Sequence, residues 1–139
     1  MNKFSKKYID ELSYKIIGAA IEVHKELGPG LLESVYEKCL AHLLKEKGHS
    51  VRTQASVPVL FQNIEIDTEL RLDLLVDNLV IVELKTVESI LPIHKAQLLT
   101  YLRLLEKPKG ILINFNCINL FKEGQQTFVS EFYKELPSE

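Results

Sequence analysis

Near Val51 the spacing of apolar residues changes from a helical to a strand period, and that switch limits the folds open to the chain. Ahead of it, Leu12, Ile16, Ala20, Val23 and Leu27 form a helical stripe over Lys6 to Leu27. Gly28-Pro29-Gly30 stops that helix and turns the chain. A second helix is predicted from about Leu31 to Lys47, burying Leu32, Val35, Cys39, Leu40 and Leu43, with Gly48 as its terminator. Past the switch, Val57, Val59 and Phe61 alternate with small or polar neighbours, and Gln62-Asn63 offers a turn into Ile64 and Ile66. Leu70 to Val76 and Val80 to Thr86 read as a hairpin around Asp77-Asn78. Pro92 opens a third helix to about Leu105. Ile111-Leu112-Ile113 then reads as a buried strand, and a weaker strand covers Gln126 to Val129. The tail from Lys134 to Glu139 is expected to fray. The predicted order is two helices, three strands, a helix and a strand, the last strand lying parallel to a hairpin strand through a right-handed crossover. With no linker, repeat or low-complexity tract, residues 1–139 are expected to form a single α/β domain.

A chain of 139 residues can bury a substantial core, and 46% apolar with 26% charged residues excludes general disorder. No apolar run approaches the roughly 18 residues of a membrane span. The start Met1-Asn2-Lys3-Phe4-Ser5-Lys6-Lys7 is basic but lacks an apolar stretch behind it, so no secretory signal is expected. Cys39 and Cys117 sit in apolar segments and read as buried free thiols, which points to the cytoplasm. Zinc-type Cys/His spacing is absent. A net charge of −2 argues against a generally basic surface for nucleic acid. Any phosphate chemistry must therefore rest on a local, metal-assisted site.

Such a site is suggested by Arg71-Leu72-Asp73-Leu74-Leu75 followed by Val82-Glu83-Leu84-Lys85. Alternation on a strand puts Glu83 and Lys85 on one side, among apolar neighbours that make an unmatched charge costly. Two carboxylates and a lysine are what phosphodiester hydrolysis requires. The acids hold Mg²⁺ through oxygen, and the lysine orients water or offsets charge on the phosphate oxygens. A plainer alternative stays open: Asp73 pairs with Arg71 or Lys85 across the hairpin and does no chemistry. Parity sharpens the choice. A two-residue Asp77-Asn78 loop would pair Asp73 with Val82 and put Glu83 on the wrong side. The site therefore requires an odd-length loop, expected at Val76-Asp77-Asn78 with Asn78 left-handed, or a bulge.

In Gly30-Leu31-Leu32-Glu33-Ser34-Val35-Tyr36, Glu33 and Tyr36 neighbour one another on a helix, and Gly30 allows close backbone approach. In His94-Lys95-Ala96-Gln97-Leu98-Leu99-Thr100-Tyr101, the residues His94, Gln97 and Tyr101 share a face. Each stretch has an ordinary reading: Glu33 suits a helix N-terminus, and the tyrosines are amphipathic core residues. His24, His42 and His49 show no partner pattern, and Lys107-Pro108-Lys109 reads as a solvated turn.

Taken together, Gly30, Glu33 and Tyr36, then Asp73, then Glu83-Leu84-Lys85, then Gln97 with Tyr101, resemble the GxxExxY protein family of the PD-(D/E)xK nuclease superfamily. The likeness runs in order from about Ile16 to Asn116, and the spacing of Gln97 and Tyr101 is also similar to a motif of RecB-like nucleases. Leu72 stands where the superfamily motif has proline. The resemblance implies an αβββαβ restriction-endonuclease-like core with an additional N-terminal helix. It implies Mg²⁺ (or Mn²⁺) held by Asp73, Glu83, the Leu84 carbonyl and Glu33, with Lys85 acting on water or the transition state. Gln97 is implied to position water or phosphate, with Tyr101 and His94 against the substrate. Nucleic acid, DNA rather than RNA, is the implied partner. A catalytically silent nucleic-acid-binding or assembly module that retains this core is the alternative. A homodimer, or a partner subunit that supplies grip on DNA, is the further option.

Overall fold

A computed structural model describes residues 4–139; the basic start expected at Met1 to Lys3 lies outside the described residues. Helix α1 covers Lys6–Leu27, where Ser5 caps it by accepting from the Tyr8 N–H at 3.1 Å. Its stripe buries Ile9, Leu12, Ile16, Ala19, Ala20 and Val23, so the helix serves the core. Gly28, at φ 70°, ends it with a bond from its N–H to the His24 carbonyl. Helix α2 covers Glu33–Glu46 and buries Tyr36, Leu40, Ala41 and Leu44. Of the residues expected to be buried, Leu40 is buried and Cys39 and Leu43 pack half-buried against the core, whereas Leu32, ahead of the helix, is 73% exposed and Val35 36%, because Tyr36 rather than Val35 starts the buried stripe.

The strands are β1 Val51–Ser56, β2 Val59–Phe61, β3 Ile64–Ile66, β4 Arg71–Val76, β5 Val80–Lys85, β6 Lys109–Asn114 and β7 Gln125–Val129. Helix α3 spans Pro92–Leu105 between β5 and β6, and a short α4 spans Glu131–Lys134. Five strands form one mixed sheet in the order β1-β4-β5-β6-β7, with only the β5–β6 pair parallel. Within it α2, β1, β4, β5, α3 and β6 trace the αβββαβ order, with α1 added in front.

The first core strand is Val51–Ser56. The alternating stretch expected to serve as sheet instead forms a separate β2–β3 ribbon that turns at Gln62 and Asn63, both at positive φ. Leu60, Phe61 and Ile64 are each at least 60% exposed there, so alternation did not signal a buried face. The chain end also differs from expectation. Lys6 and Lys7 donate their N–H groups to Pro137 and Ser138, which ties the tail to the first turn of α1 rather than leaving it frayed. Cys39 and Cys117 are free but half-buried rather than buried. Among the described residues no helix is long and apolar enough to cross a membrane.

Two apolar clusters sandwich the sheet. Leu74, Val76, Val80, Val82, Leu84, Ile111 and Ile113 pack with α1 and α2. Leu72, Leu75, Ile81 and Leu112 pack with Leu98, Tyr101 and Leu102 of α3. A π-helical turn at Leu120–Gly124, which the sequence did not announce, leads into β7. A Cβ on Gly124 would lie 2.7 Å from the Asn114 carbonyl oxygen and 2.8 Å from Cys117 Sγ. Gly124→Ala is therefore expected to destabilise by about 1–3 kcal/mol, measured as a lowered midpoint of unfolding.

Candidate active site

Register is what brings the acids together. β4 pairs with β5 through Leu74↔Val82, Leu75↔Ile81 and Val76↔Val80, so the next pair outward is Asp73 opposite Glu83. The loop between them is odd, as required, but it is Asp77-Asn78-Leu79 rather than Val76-Asp77-Asn78. Asp77 and Asn78 both have positive φ, and the Leu79 N–H closes the turn on the Val76 carbonyl at 3.0 Å. Asp77 also accepts from the Ser50 N–H and pairs with His49, each at 2.8 Å, so His49 does have a partner.

Beyond Leu74↔Val82 the backbone ladder stops and side chains replace it. The Asp73 N–H donates to Glu83 Oε2 at 2.7 Å, and the Leu84 N–H donates to Asp73 Oδ2 at 2.8 Å. Each carboxylate thus grips the opposite strand. Arg71 turns away to the Gln54 carbonyl and the Ser56 hydroxyl, so the Asp73–Arg71 pairing left open by the sequence does not form.

The same place is where strands change sides. Leu74 and Val76 face α1 and α2, whereas Leu72 faces α3; likewise Val51 packs toward α1 and α2, and Ala55 toward α3. Pairing of β1 with β4 keeps one register throughout, so no residue is inserted; the Gln54–Asp73 position simply drops out of the ladder. Gln54 sits at φ 51°, an unusual conformation for a strand glutamine that costs on the order of 1–3 kcal/mol. Its Nε2 donates to Glu37 Oε1 at 2.5 Å and to Asp73 Oδ1 at 3.3 Å.

From the α2 side comes Glu33, the first residue of that helix. The loop ahead of it is locked by Tyr36, whose buried hydroxyl donates to the Gly28 carbonyl at 2.5 Å and accepts from the Leu31 N–H at 3.2 Å. The Tyr36 ring stacks on Phe115 with centroids 4.3 Å apart. Gly30 is needed for its φ of 102° and not for close approach, since a Cβ there would meet nothing within 4 Å. Tyr36→Phe would leave the Gly28 carbonyl and the Leu31 N–H without this partner. The expected loss is about 1–3 kcal/mol in chemical denaturation.

Electrostatics join these groups. Burial, and next the charge of Asp73, push Glu83 up to about 8. Burial and the same aspartate raise Glu33 to about 7, while Lys85 pulls both acids back down. Burial raises Glu37, and Asp73 adds to that effect. Burial raises Tyr101 on α3, with smaller contributions from Glu83 and Asp73. Glu33, Asp73, Glu83 and Lys85 therefore lie within a shared field, and Tyr101 feels Glu83 and Asp73. Gln97 is exposed one turn before Tyr101. His94 Nδ1 accepts from the Leu91 N–H at 3.0 Å at the start of α3. Among the described residues no hydrogen bond or ion pair links Gln97 or His94 to the acids.

Glu37 and Gln54 were not singled out from the sequence. Glu37 was legible, being four residues after Glu33 on the same helical face. Gln54 was not, because nothing in a strand pattern announces a left-handed residue.

The donor set suits a hard divalent cation: oxygen ligands, crowded and partly dehydrated, whose protons a cation would displace. Among the described residues no three His, Cys, Asp or Glu side chains already stand as a cage. Asp73 Oδ2 and Glu83 Oε2 both face strand amides and Asp73 Oδ1 accepts from Gln54, which leaves Glu83 Oε1, Glu33 and the remaining lone pairs on the Asp73 carboxylate as the available donors.

A mixed sheet flanked by helices, with acids and a lysine on a central hairpin, defines an α/β protein of the restriction-endonuclease-like class. The family model described as the PD-(D/E)XK nuclease superfamily matches residues 10–128, and the chain belongs to that superfamily. Membership implies metal-dependent cleavage of nucleic acid as the activity of the class. Comparison with curated proteins and with solved structures gives no match.

Proposed function

We propose that the chain is a Mg²⁺-dependent (or Mn²⁺-dependent) nuclease that hydrolyses phosphodiester bonds of DNA. One observation carries this reading: Asp73 and Glu83 face each other across β4 and β5, each held by the other strand's amide, with Glu33 and Lys85 in the same field. Asp73, Glu83, the Leu84 carbonyl and Glu33 are the groups that would hold the cation. When bound, it supplies a Lewis acid and a water of lowered pKa. Lys85 Nζ orients that water or offsets negative charge growing on the phosphate oxygens. Tyr101 braces this arrangement from α3, while Gln97 and His94, on the same helix, serve the incoming backbone. We further place the chain in the GxxExxY family, supported by the separate tasks of Gly30 in turning, Glu33 in facing the site and Tyr36 in locking the loop. DNA is favoured over RNA by the likeness of the Gln97 and Tyr101 spacing to RecB-like nucleases. Free thiols at Cys39 and Cys117 support a cytoplasmic setting.

The test is incubation of purified protein with single- and double-stranded DNA in Mg²⁺ or Mn²⁺, with EDTA as control. Cleavage that EDTA stops supports the proposal; metal-independent cutting refutes it. The net charge of −2 favours a second reading, a catalytically silent module that keeps the core. Calorimetry separates the two: a silent module would take up Mg²⁺ no better than its Asp73→Ala variant.

A further inference from the structure

We infer that Gln54 is a positioning residue for these acids, its carboxamide clamping Asp73 of β4 to Glu37 of α2. The inference rests on the reading of Asp73 as a cation ligand. Both partners of the carboxamide are carboxylate oxygens, so its NH₂ end faces them, and its two protons suffice for one bond to each. With the Leu84 N–H on Oδ2 and Gln54 on Oδ1, both oxygens of Asp73 are oriented by the protein itself. Fixing a ligating carboxylate by hydrogen bonds of this kind is how outer groups tune a metal site.

The second bond reaches another layer. Glu37 lies one turn after Glu33 on α2, so holding Glu37 also sets where Glu33 stands relative to Asp73. Three elements that approach from different directions, β1, β4 and α2, are thereby joined through one side chain. Gln54 takes this position at positive φ, at the point where β1 and β4 change sides. A residue needed only for a strand would have no reason to adopt that conformation.

Glycine favours positive φ, so Gln54→Gly removes the clamp while suiting the backbone. The full-length variant is expected to keep a midpoint of thermal unfolding at or above that of the parent. Its Mg²⁺ affinity by calorimetry should fall about 10–100-fold. In the parent protein, ¹⁵N-labelled, the Gln54 side-chain amide resonances should move on Mg²⁺ addition, whereas those of Gln62 on the β2–β3 ribbon stay put. A folded Gln54→Gly protein that binds Mg²⁺ like the parent overturns the inference and leaves the active-site reading standing. If the variant fails to fold, the parent resonances decide: movement supports the clamp, and stillness at saturating Mg²⁺ overturns it. A parent protein that takes up no Mg²⁺ removes the active-site reading, and this inference with it.

Discussion

Lys85→Ala is expected to lower Mg²⁺-dependent DNA cleavage by about 10²–10⁴-fold, the usual loss when a positioned proton carrier or charge-stabilising group is removed. Lys85 is the cation that restrains both Glu33 and Glu83, and its place at the last residue of β5 puts it beside the acids without burying it in the sheet. It is half-exposed and makes no ion pair among the described residues, so the variant should unfold near the parent temperature. The decisive comparison is single-turnover cleavage by the parent, Lys85→Ala and Lys85→Arg at matched Mg²⁺. Retained cleavage by Lys85→Ala would place the chemistry elsewhere. A drop that merely follows lost helicity would mean the residue is structural.

The second large effect is on stability against pH, in metal-free protein. Glu83 is held near 8 and Glu33 near 7, each above the ordinary value of 4.5, chiefly by burial and then by Asp73. In the unfolded chain both acids ionise near that ordinary value, so between it and pH 7–8 the folded state binds the extra protons. The stabilisation from these groups is complete below the unfolded value and is lost as pH rises through the folded ones. Stability in EDTA should therefore fall across that interval and level off above it. The slope is about 1.4 kcal/mol per pH unit for each proton taken up. Glu83→Gln cannot ionise, so its profile should lose the steepest part, and at about pH 8.5 it should be more stable than the parent. Urea denaturation of both proteins at several pH values measures this directly. Parallel profiles would mean that Glu83 ionises as freely when folded as when unfolded.

Much of the architecture was legible because apolar periodicity and chain breakers agree with packing along most of the sequence. The α1 stripe, the stop at Gly28, the proline start of α3 and the buried run at Ile111 to Ile113 each became the element expected. The candidate acids were legible for a physical reason as well. Asp73 and Glu83 interrupt otherwise apolar strands, and a shared face for them requires the odd loop that the hairpin has. Where reading failed, local pattern and tertiary use diverged. Val59, Phe61, Ile64 and Ile66 alternate like a core strand yet line an outlying ribbon, since period alone does not say which sheet a strand joins. On α2 the expected stripe was right at Leu40 but about one residue off elsewhere, since Tyr36, Ala41 and Leu44 are buried rather than Leu32 and Val35. Gln54 and the Leu120–Gly124 turn depend on backbone conformations that side-chain patterns do not encode.

The reversal of β1 and β4 at Gln54 and Asp73 also bears on how the molecule tolerates change. Repacking beneath α3 and repacking beneath α1 and α2 involve separate sets of residues on the two faces of one sheet. Asp73 lies between Leu72 of one set and Leu74 of the other, so small displacements in either half reach that one carboxylate. Substitutions mild enough to leave the melting temperature intact should still register there, as altered ion affinity.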